Sequence, residues 1–373
     1  MFDDALRRIS ENLEAWKTGL DNPPEAQGNI LSSFLEDYAQ TEYGARYIAE
    51  EQGDYRDNYP VTNYRNLVPW LDIAKEGNWR AFLPEPPLTW VMTRGTTGSS
   101  KVLPVTERHL DHIIKGGSRA ILNHITNRGS FSLFTGGVLN LQFPSNFRSM
   151  NVKGEEIEYG FSSGTYAKLN PMLAGLKLVP GQEEIDALNT GLSINDWNRR
   201  YEYSYNHTLD EEIFTLMGVA PIQTGFASYL KREHGVYPKD VWDIEVIFST
   251  SVPKIQTRYK GSLQKMYGEV PIVEMYTATE GAFGQQNDEF PYFQPNYDLY
   301  YYEVKAGNKI KNLYQLERGQ WGSLVVSTPI LPRYEIGDLI EGMGKNYFRV
   351  FGRDKIRTRM EHQAYRLLFR WFI

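Results

Sequence analysis

The sequence predicts an α/β fold built on a parallel sheet and followed by a β-rich segment. Two observations carry this. Residues 241–250 (VWDIEVIFST) read as a strand, 253–267 as a helix and 271–277 (PIVEMYT) as a second strand. That order is a βαβ unit, whose crossover leaves its two strands parallel. From about residue 291 the pattern changes to short strands and turns, at 297–304, 322–328, 339–341 and 347–351. This predicts an antiparallel or barrel-like subdomain.

The earlier elements follow in order. Leu6, Ile9, Leu13 and Trp16 recur at helical spacing, and Leu31, Phe34, Leu35 and Tyr38 do so again within 30–38. Asp21-Asn-Pro-Pro breaks the chain between them. Residues 63–76 predict another short helix. Pro84, Pro86 and Pro87 force extended chain ahead of an apolar strand at 88–93. A Gly/Thr/Ser turn and a helix near 107–123 come next. Residues 131–180 alternate strand-like patches with Gly and Pro, and a helix pair is expected near 209–217 and 220–234. No repeat, low-complexity tract or long linker divides the chain. The expected organisation is one core over 1–353, with a β-rich subdomain at about 291–353 and a short tail at 354–373.

Composition removes several functions. The chain has 373 residues, with 40 Lys+Arg against 46 Asp+Glu and a net charge of −6. A dedicated nucleic-acid binder needs a basic stripe, so that class is set aside, whereas a nucleotide needs only a local anion site. The absence of Cys excludes disulfides, thiolate catalysis and Cys-based metal sites. No segment approaches the roughly 18 uncharged apolar residues of a membrane span. The N-terminus is charged and amphipathic, without the apolar stretch of a signal peptide. The expectation is a soluble cytoplasmic protein.

Four segments carry chemistry. Thr93-Arg-Gly-Thr-Thr-Gly-Ser-Ser-Lys101 combines two glycines, the hydroxyls of Thr96, Thr97, Ser99 and Ser100, and a lysine, which is what a triphosphate needs. It is not a Walker A loop: counted from Gly95, that motif requires Gly at 100 and Ser or Thr at 102, where the chain has Ser100 and Val102. Read alone, the segment is equally a surface turn. Tyr276-Thr-Ala-Thr-Glu-Gly281 ends a parallel strand, where open α/β sheets bind ligands. An aromatic there can stack on a base and a carboxylate can hold Mg²⁺. Pro332-Arg-Tyr-Glu-Ile-Gly-Asp338 places a carboxylate after a glycine, suited to ribose hydroxyls, or to a hairpin turn. The fourth is Phe351-Gly-Arg-Asp354.

In type and order these four segments resemble the adenylate-forming superfamily of acyl-CoA synthetases, peptide-synthetase adenylation domains and luciferases. Within it the chain is most similar to the auxin-responsive-promoter (Gretchen Hagen three) family of acyl-acid amido synthetases. The likeness also runs through Thr41-Glu-Tyr-Gly-Ala-Arg46, Tyr59-Pro-Val-Thr62 and Leu324-Val-Val-Ser-Thr328. It implies the superfamily's large N-terminal domain, with mixed and parallel sheets flanked by helices and a β-barrel-like subdomain. It implies ATP and Mg²⁺, a carboxylic acid substrate and an amine or amino-acid acceptor.

The resemblance also implies roles. Thr96, Thr97, Gly98, Ser99 and Lys101 would embrace the ATP phosphates. Tyr276 would stack on adenine, Thr279 would contact the α-phosphate and Glu280 would coordinate Mg²⁺. Asp338 would bind the ribose, with Arg353 nearby. Arg94 stands where the family commonly has Ser. Thr250, in Ser249-Thr-Ser251, would lie near the adenine or the acyl group. The acid would lie near Thr165 and Phe226, although Phe226 reads more economically as a core aromatic on an amphipathic helix. Family members carry a small C-terminal domain after the Gly-Arg motif; only 20 residues follow Arg353 in this sequence, so 354–373 is expected to be a hinge remnant and tail, whether the sequence is truncated or the protein does without that domain.

Two other readings stay open: an acid–thiol ligase making an acyl-CoA, and a nucleotide-binding module without turnover. His109 and His112 lie i,i+3 on a helix, geometrically able to share a metal, but no carboxylate–His pattern accompanies them and packing is the better reading.

Overall fold

A computed structural model of the chain describes residues 2–95 and 100–368. The chain folds as two compact units that alternate along the sequence. The first comprises Met1–Ser10, Thr89–Val105 and Ile113–Asn287; the second comprises Glu11–Leu88, Thr106–His112 and Asp288–Ile373. Because the units interleave in sequence, no linker marks their boundary.

In the first unit a sheet runs, in spatial order, Gly281–Gln285, Ile272–Ala278, Val246–Thr250, Ile213–Val219, Gly137–Leu139, Leu176–Val179 and Met172–Leu173. The five strands from Ile272–Ala278 to Leu176–Val179 are mutually parallel. Gly281–Gln285 and Met172–Leu173 each pair antiparallel with their neighbours. The expected βαβ unit is present, with Ile272 opposite Ile247 and Met275 opposite Thr250. Its first strand begins at Val246, and its crossover helix is two pieces, Ile255–Arg258 and Lys260–Tyr267.

Successive side chains of a strand point to opposite faces. Ile247 accordingly joins one apolar cluster, with Phe226, Leu230, Leu263 and Tyr267. Val246 and Phe248 join another, with Ile121, Ile125 and Met275. Both faces of the sheet are thus covered, as parallel sheets require.

The helix expected at 209–217 is not there. Ile213–Val219 is a strand, paired with Val246–Thr250 on one side and Gly137–Leu139 on the other. A short apolar run buried on both faces has no alternation to reveal it, so periodicity alone misassigns it. The helix Ala220–Glu233 follows as expected. Two helices, Ser162–Leu169 and Ile194–Asn206, were not anticipated. A second sheet of this unit runs Val102–Val105, Thr89–Met92, Glu155–Phe161 and Arg148–Val152. Met92 pairs with Val102, which makes 93–101 the loop of a hairpin.

The second unit is built on an antiparallel sheet in the order Lys309–Asn312, Tyr301–Ala306, Trp321–Thr328, Leu331–Gly344 and Tyr347–Arg353. Pro23–Tyr38 buries Ile30, Leu31, Phe34, Leu35 and Tyr38. Gln27 on the same helix donates to the carbonyls of Tyr297 (2.8 Å) and Tyr300 (2.7 Å) and accepts from the Tyr302 amide (2.8 Å). Tyr64–Lys75 opens on an Asn63–Asn66 capping box. The tail residues Ile356–Leu368 form a helix.

Candidate functional site

In the first unit the 93–101 loop is closed at its base. The Thr93 amide donates to the Lys101 carbonyl (2.9 Å), and the Lys101 amide donates to Thr93 Oγ1 (3.0 Å). Gly95 has φ +63°, and a Cβ there would lie 3.1 Å from the Ser100 nitrogen, so both the turn and the close approach require glycine. Thr96, Thr97, Gly98 and Ser99, predicted to embrace phosphates, lie outside the described residues. Arg94 donates to the Ser251 carbonyl (3.4 Å), and its guanidinium sits 5.5 Å from the Phe143 ring centre.

Lys101 Nζ lies 3.1 Å from Glu280 Oε1. The carboxylate is buried, while the lysine keeps 29% of its side chain exposed. Glu280 sits just beyond the C-terminal end of the parallel strand Ile272–Ala278, the position at which such sheets bind ligands. Next to it, Thr279 Oγ1 is 2.9 Å from Ser162 Oγ, and the Thr279 carbonyl accepts from Tyr166 Oη at 3.0 Å. Ser162 and Tyr166 are one turn apart on Ser162–Leu169, so one helical face holds both the side chain and the backbone of Thr279. The family resemblance places Ser162-Ser-Gly-Thr-Tyr166 in the acyl-pocket region, and the support that its two ends give Thr279 was not foreseen. Thr250 Oγ1 meets Thr277 Oγ1 at 2.6 Å where two adjacent parallel strands end. Ser251 follows with φ +65°, a strained conformation of the kind that concentrates at functional sites.

Tyr276 is mostly buried, and its ring lies 5.7 Å from that of Phe283. The ladder slips between Tyr276 and Thr277, which bulges the strand just before Glu280. On the same strand, Glu274 accepts from the Gln256 amide (2.8 Å). Burial pushes its carboxyl up to about 7, against that hydrogen bond.

The acid-pocket expectations separate. Phe226 is fully buried, packed against Tyr201 and Trp242, and this corrects its placement beside a substrate: it is a core residue. Thr165 is buried on Ser162–Leu169, and its hydroxyl has no hydrogen-bond partner. His109 and His112 are both buried, and His112 packs on Phe34 and Tyr300, which is the packing reading. Among the described residues no three His, Cys, Asp or Glu converge as a metal cluster.

In the second unit Asp338 is not on a hairpin turn, as one reading had it. It lies within the long strand Leu331–Gly344 and pairs across the ladder with Arg353. Gly337 before it has φ +86°, which a side chain would strain. Arg353 Nη1 donates to the Ile336 carbonyl (3.0 Å) and stands 3.5 Å from Asp338 Oδ1, with half of its side chain exposed. Upstream, the buried Arg333 donates to Glu303 (2.9 Å) and to the Tyr59 carbonyl (2.6 Å), which anchors the start of the strand. Asp354 accepts from Arg359 and Ser323, and the Arg359 hydrogen bonds hold its carboxyl below the usual range.

Residues 13–188 match the family model described as the GH3 family N-terminal domain. That segment includes the 93–101 loop and the Ser162–Leu169 helix, while Tyr276, Glu280, Asp338 and Arg353 lie beyond it. Among solved structures the chain is similar to the AtGH3.15 acyl acid amido synthetase in complex with 2,4-DB. The TM-score is 0.76, with 17% identity over 93% of this chain and 70% of that one. It is also similar to an open conformation of 2-hydroxyisobutyryl-CoA ligase in complex with 2-HIB-AMP and CoA. There the TM-score is 0.58, with 14% identity over 87% of this chain and 73% of that one. At these identities the likeness establishes the fold, that of adenylate-forming enzymes. No curated protein matches the chain in sequence. Among the described residues no helix is long and apolar enough to cross a membrane.

Proposed function

We propose that the chain activates a carboxylic acid with ATP, forming an acyl-adenylate and pyrophosphate, and passes the acyl group to an amine such as an amino acid. The observation that carries this reading is the Lys101–Glu280 pair. It joins a Gly/Ser/Thr loop to the C-terminal end of a parallel strand, in a chain whose residues 13–188 match the GH3 family N-terminal domain model.

The substrate carboxylate oxygen attacks the α-phosphorus in line, the bond from that phosphorus to the bridging oxygen breaks, and pyrophosphate leaves. No protein nucleophile is required. The work is positioning and charge neutralisation. Lys101 turns its ammonium from Glu280 to the phosphates. Thr279, held by Ser162 and Tyr166, presents its hydroxyl to the α-phosphate. Tyr276 contacts adenine, Asp338 accepts from the ribose hydroxyls, and Arg353 steadies Asp338. The loop hydroxyls and amides of Thr96 to Ser99 complete the phosphate contacts.

Glu280 is the group that would hold Mg²⁺. A single buried carboxylate beside a hydroxyl fits that ion, which is ordinarily bound through one or two carboxylates together with substrate phosphates. When bound, it would supply neutralisation of the phosphate charge. The proposed setting is the cytoplasm.

Trapping tests the reading. The chain incubated with ATP, Mg²⁺ and pooled aryl, indolyl, fatty and amino acids, then quenched with hydroxylamine, should yield an acyl hydroxamate that requires both ATP and acid. Hydroxamate formed without ATP, or ATP consumed to ADP rather than AMP, would overturn it.

A further inference from the structure

The antiparallel sheet of the second unit holds a cavity of about 570 Å³ that the proposed reaction does not use. Lys305, Lys309, Lys311, Arg318 and Arg359 line it, against one carboxylate, Glu317. Five cations therefore meet around one space in a chain whose net charge is −6. Lysines on an edge strand also serve to discourage strand pairing. That accounts for Lys309 and Lys311, which alternate on the edge strand Lys309–Asn312. It does not account for Arg318, which comes from a loop, or Arg359, which comes from the C-terminal helix. Lys305 stands 3.9 Å from Glu335 and Arg359 pairs with Asp354, which offsets part of the repulsion among like charges gathered in one concavity, and a bound anion reduces the rest.

The wall is fixed rather than loose. The Gly319 amide donates to the Gly342 carbonyl and the Gly342 amide to the Gln320 carbonyl, both at 2.8 Å. Lys311 Nζ donates to Gln320 Oε1, and Gln320 Nε2 donates to Glu317 Oε2, both at 3.1 Å. A Cβ on Gly342 would come within 2.8 Å of Leu316 Cβ and 2.9 Å of the Glu317 carbonyl oxygen, so the loop closes on the strand only over glycine. Arg359 is held by Asp354 at 2.7 Å. The remaining lining includes Trp321 and Leu316, an apolar surface beside the cations.

We propose that this cavity binds a small organic phosphate. Lys305, Lys309, Lys311 and Arg318 take the phosphoryl groups, and Trp321 takes a ring or apolar portion. Its volume falls in the range of small-molecule sites, roughly 300–1,000 Å³. Arginine and lysine together supply the forked and point-charge donors that phosphates use, and an indole offers a stacking face.

The test is calorimetric titration of the full chain with ADP, and separately with inorganic pyrophosphate. It compares the wild type with the double variant Lys309→Glu/Lys311→Glu and with Arg318→Glu, all outside the proposed adenylation machinery. Two binding events are expected in the wild type. One should weaken at least tenfold in both variants, with acid-dependent ATP–pyrophosphate exchange unchanged. ADP binding more tightly than pyrophosphate supports a nucleotide-like occupant, and equal affinity supports a free phosphate. Titrations identical in all three proteins would overturn the site. So would binding of polyglutamate with no binding of ADP or pyrophosphate, which would make the cavity a dock for an acidic protein.

Discussion

Lys101–Glu280 in the first unit and Arg353–Asp338 in the second are both cation–carboxylate pairs, yet they are built differently. Glu280 is buried, and its neighbour Thr279 is held by two residues of one helix. Asp338 faces an arginine that is half exposed and 3.5 Å away, in a ladder of two antiparallel strands. A buried carboxylate depends on its cation, because removing the partner leaves charge in a poorly solvated place. Asp338 is buried as well, with 12% of its side chain exposed, but its arginine is half exposed and 3.5 Å away, so that pairing is screened and contributes little by itself. The first pair is thus suited to charge chemistry, and the second to holding one carboxylate ready for a neutral hydroxyl partner.

Substitutions can break or sharpen this contrast, and their expected effects descend in order. Phe226→Ala sets the upper scale. It should cost about 3–5 kcal/mol of folding stability by denaturant titration and leave the KM for the acid unchanged in the surviving folded protein. A selective rise in that KM would return Phe226 to the substrate site.

Lys101→Ala should lower turnover by roughly 10²–10³-fold, the usual loss when one donor to a transition-state charge is removed. A change in KM alone would sink its catalytic role.

Glu274 and Glu280 form a contrast within one segment, a buried carboxyl without a lysine against one with it. The folded protein keeps the Glu274 proton up to about pH 7, whereas the unfolded chain releases it near 4.5. Between those values the folded state binds more protons, so stability should fall as pH rises through the window and level off above it. The total is at most on the order of 3 kcal/mol. Thermal melts of Glu274→Gln should lack that slope, and an identical slope in wild type and variant would assign it elsewhere.

Asp338→Ala should weaken ATP binding by about 1.5–3 kcal/mol through loss of a charge-assisted hydrogen bond. Unchanged affinity in calorimetry would remove the ribose assignment. Arg353→Ala should cost about 0–1 kcal/mol, as exposed pairs do. An effect equal to that of Asp338→Ala would show that the second pair is as tightly built as the first.

Much of this was legible before any coordinates. The parallel pairing around Ile247 and Ile272, the antiparallel segment after 291 and helical segments expected at 30–38 and 63–76, which fall within or over Pro23–Tyr38 and Tyr64–Lys75, all follow from periodicity and breakers. The site segments were legible because glycines, hydroxyls and charges stand together in short runs. Ile213–Val219 was not, because a strand buried on both faces loses its alternation. The role of Ser162 and Tyr166 in holding Thr279 was missed for another reason. Their partner, Thr279, is more than a hundred residues away, and nothing local in Ser-Ser-Gly-Thr-Tyr marks it as a support. The cations of the basic cavity are likewise spread over a hairpin, a loop and a helix, and only the fold collects them.

The central claim is adenylation, and ATP–pyrophosphate exchange reads it most directly. With the same pooled acids, exchange should require an acid and Mg²⁺, and it should fall sharply in Lys101→Ala and measurably in Asp338→Ala. Exchange with no acid pool, or exchange that both variants retain at the wild-type rate, would contradict the account.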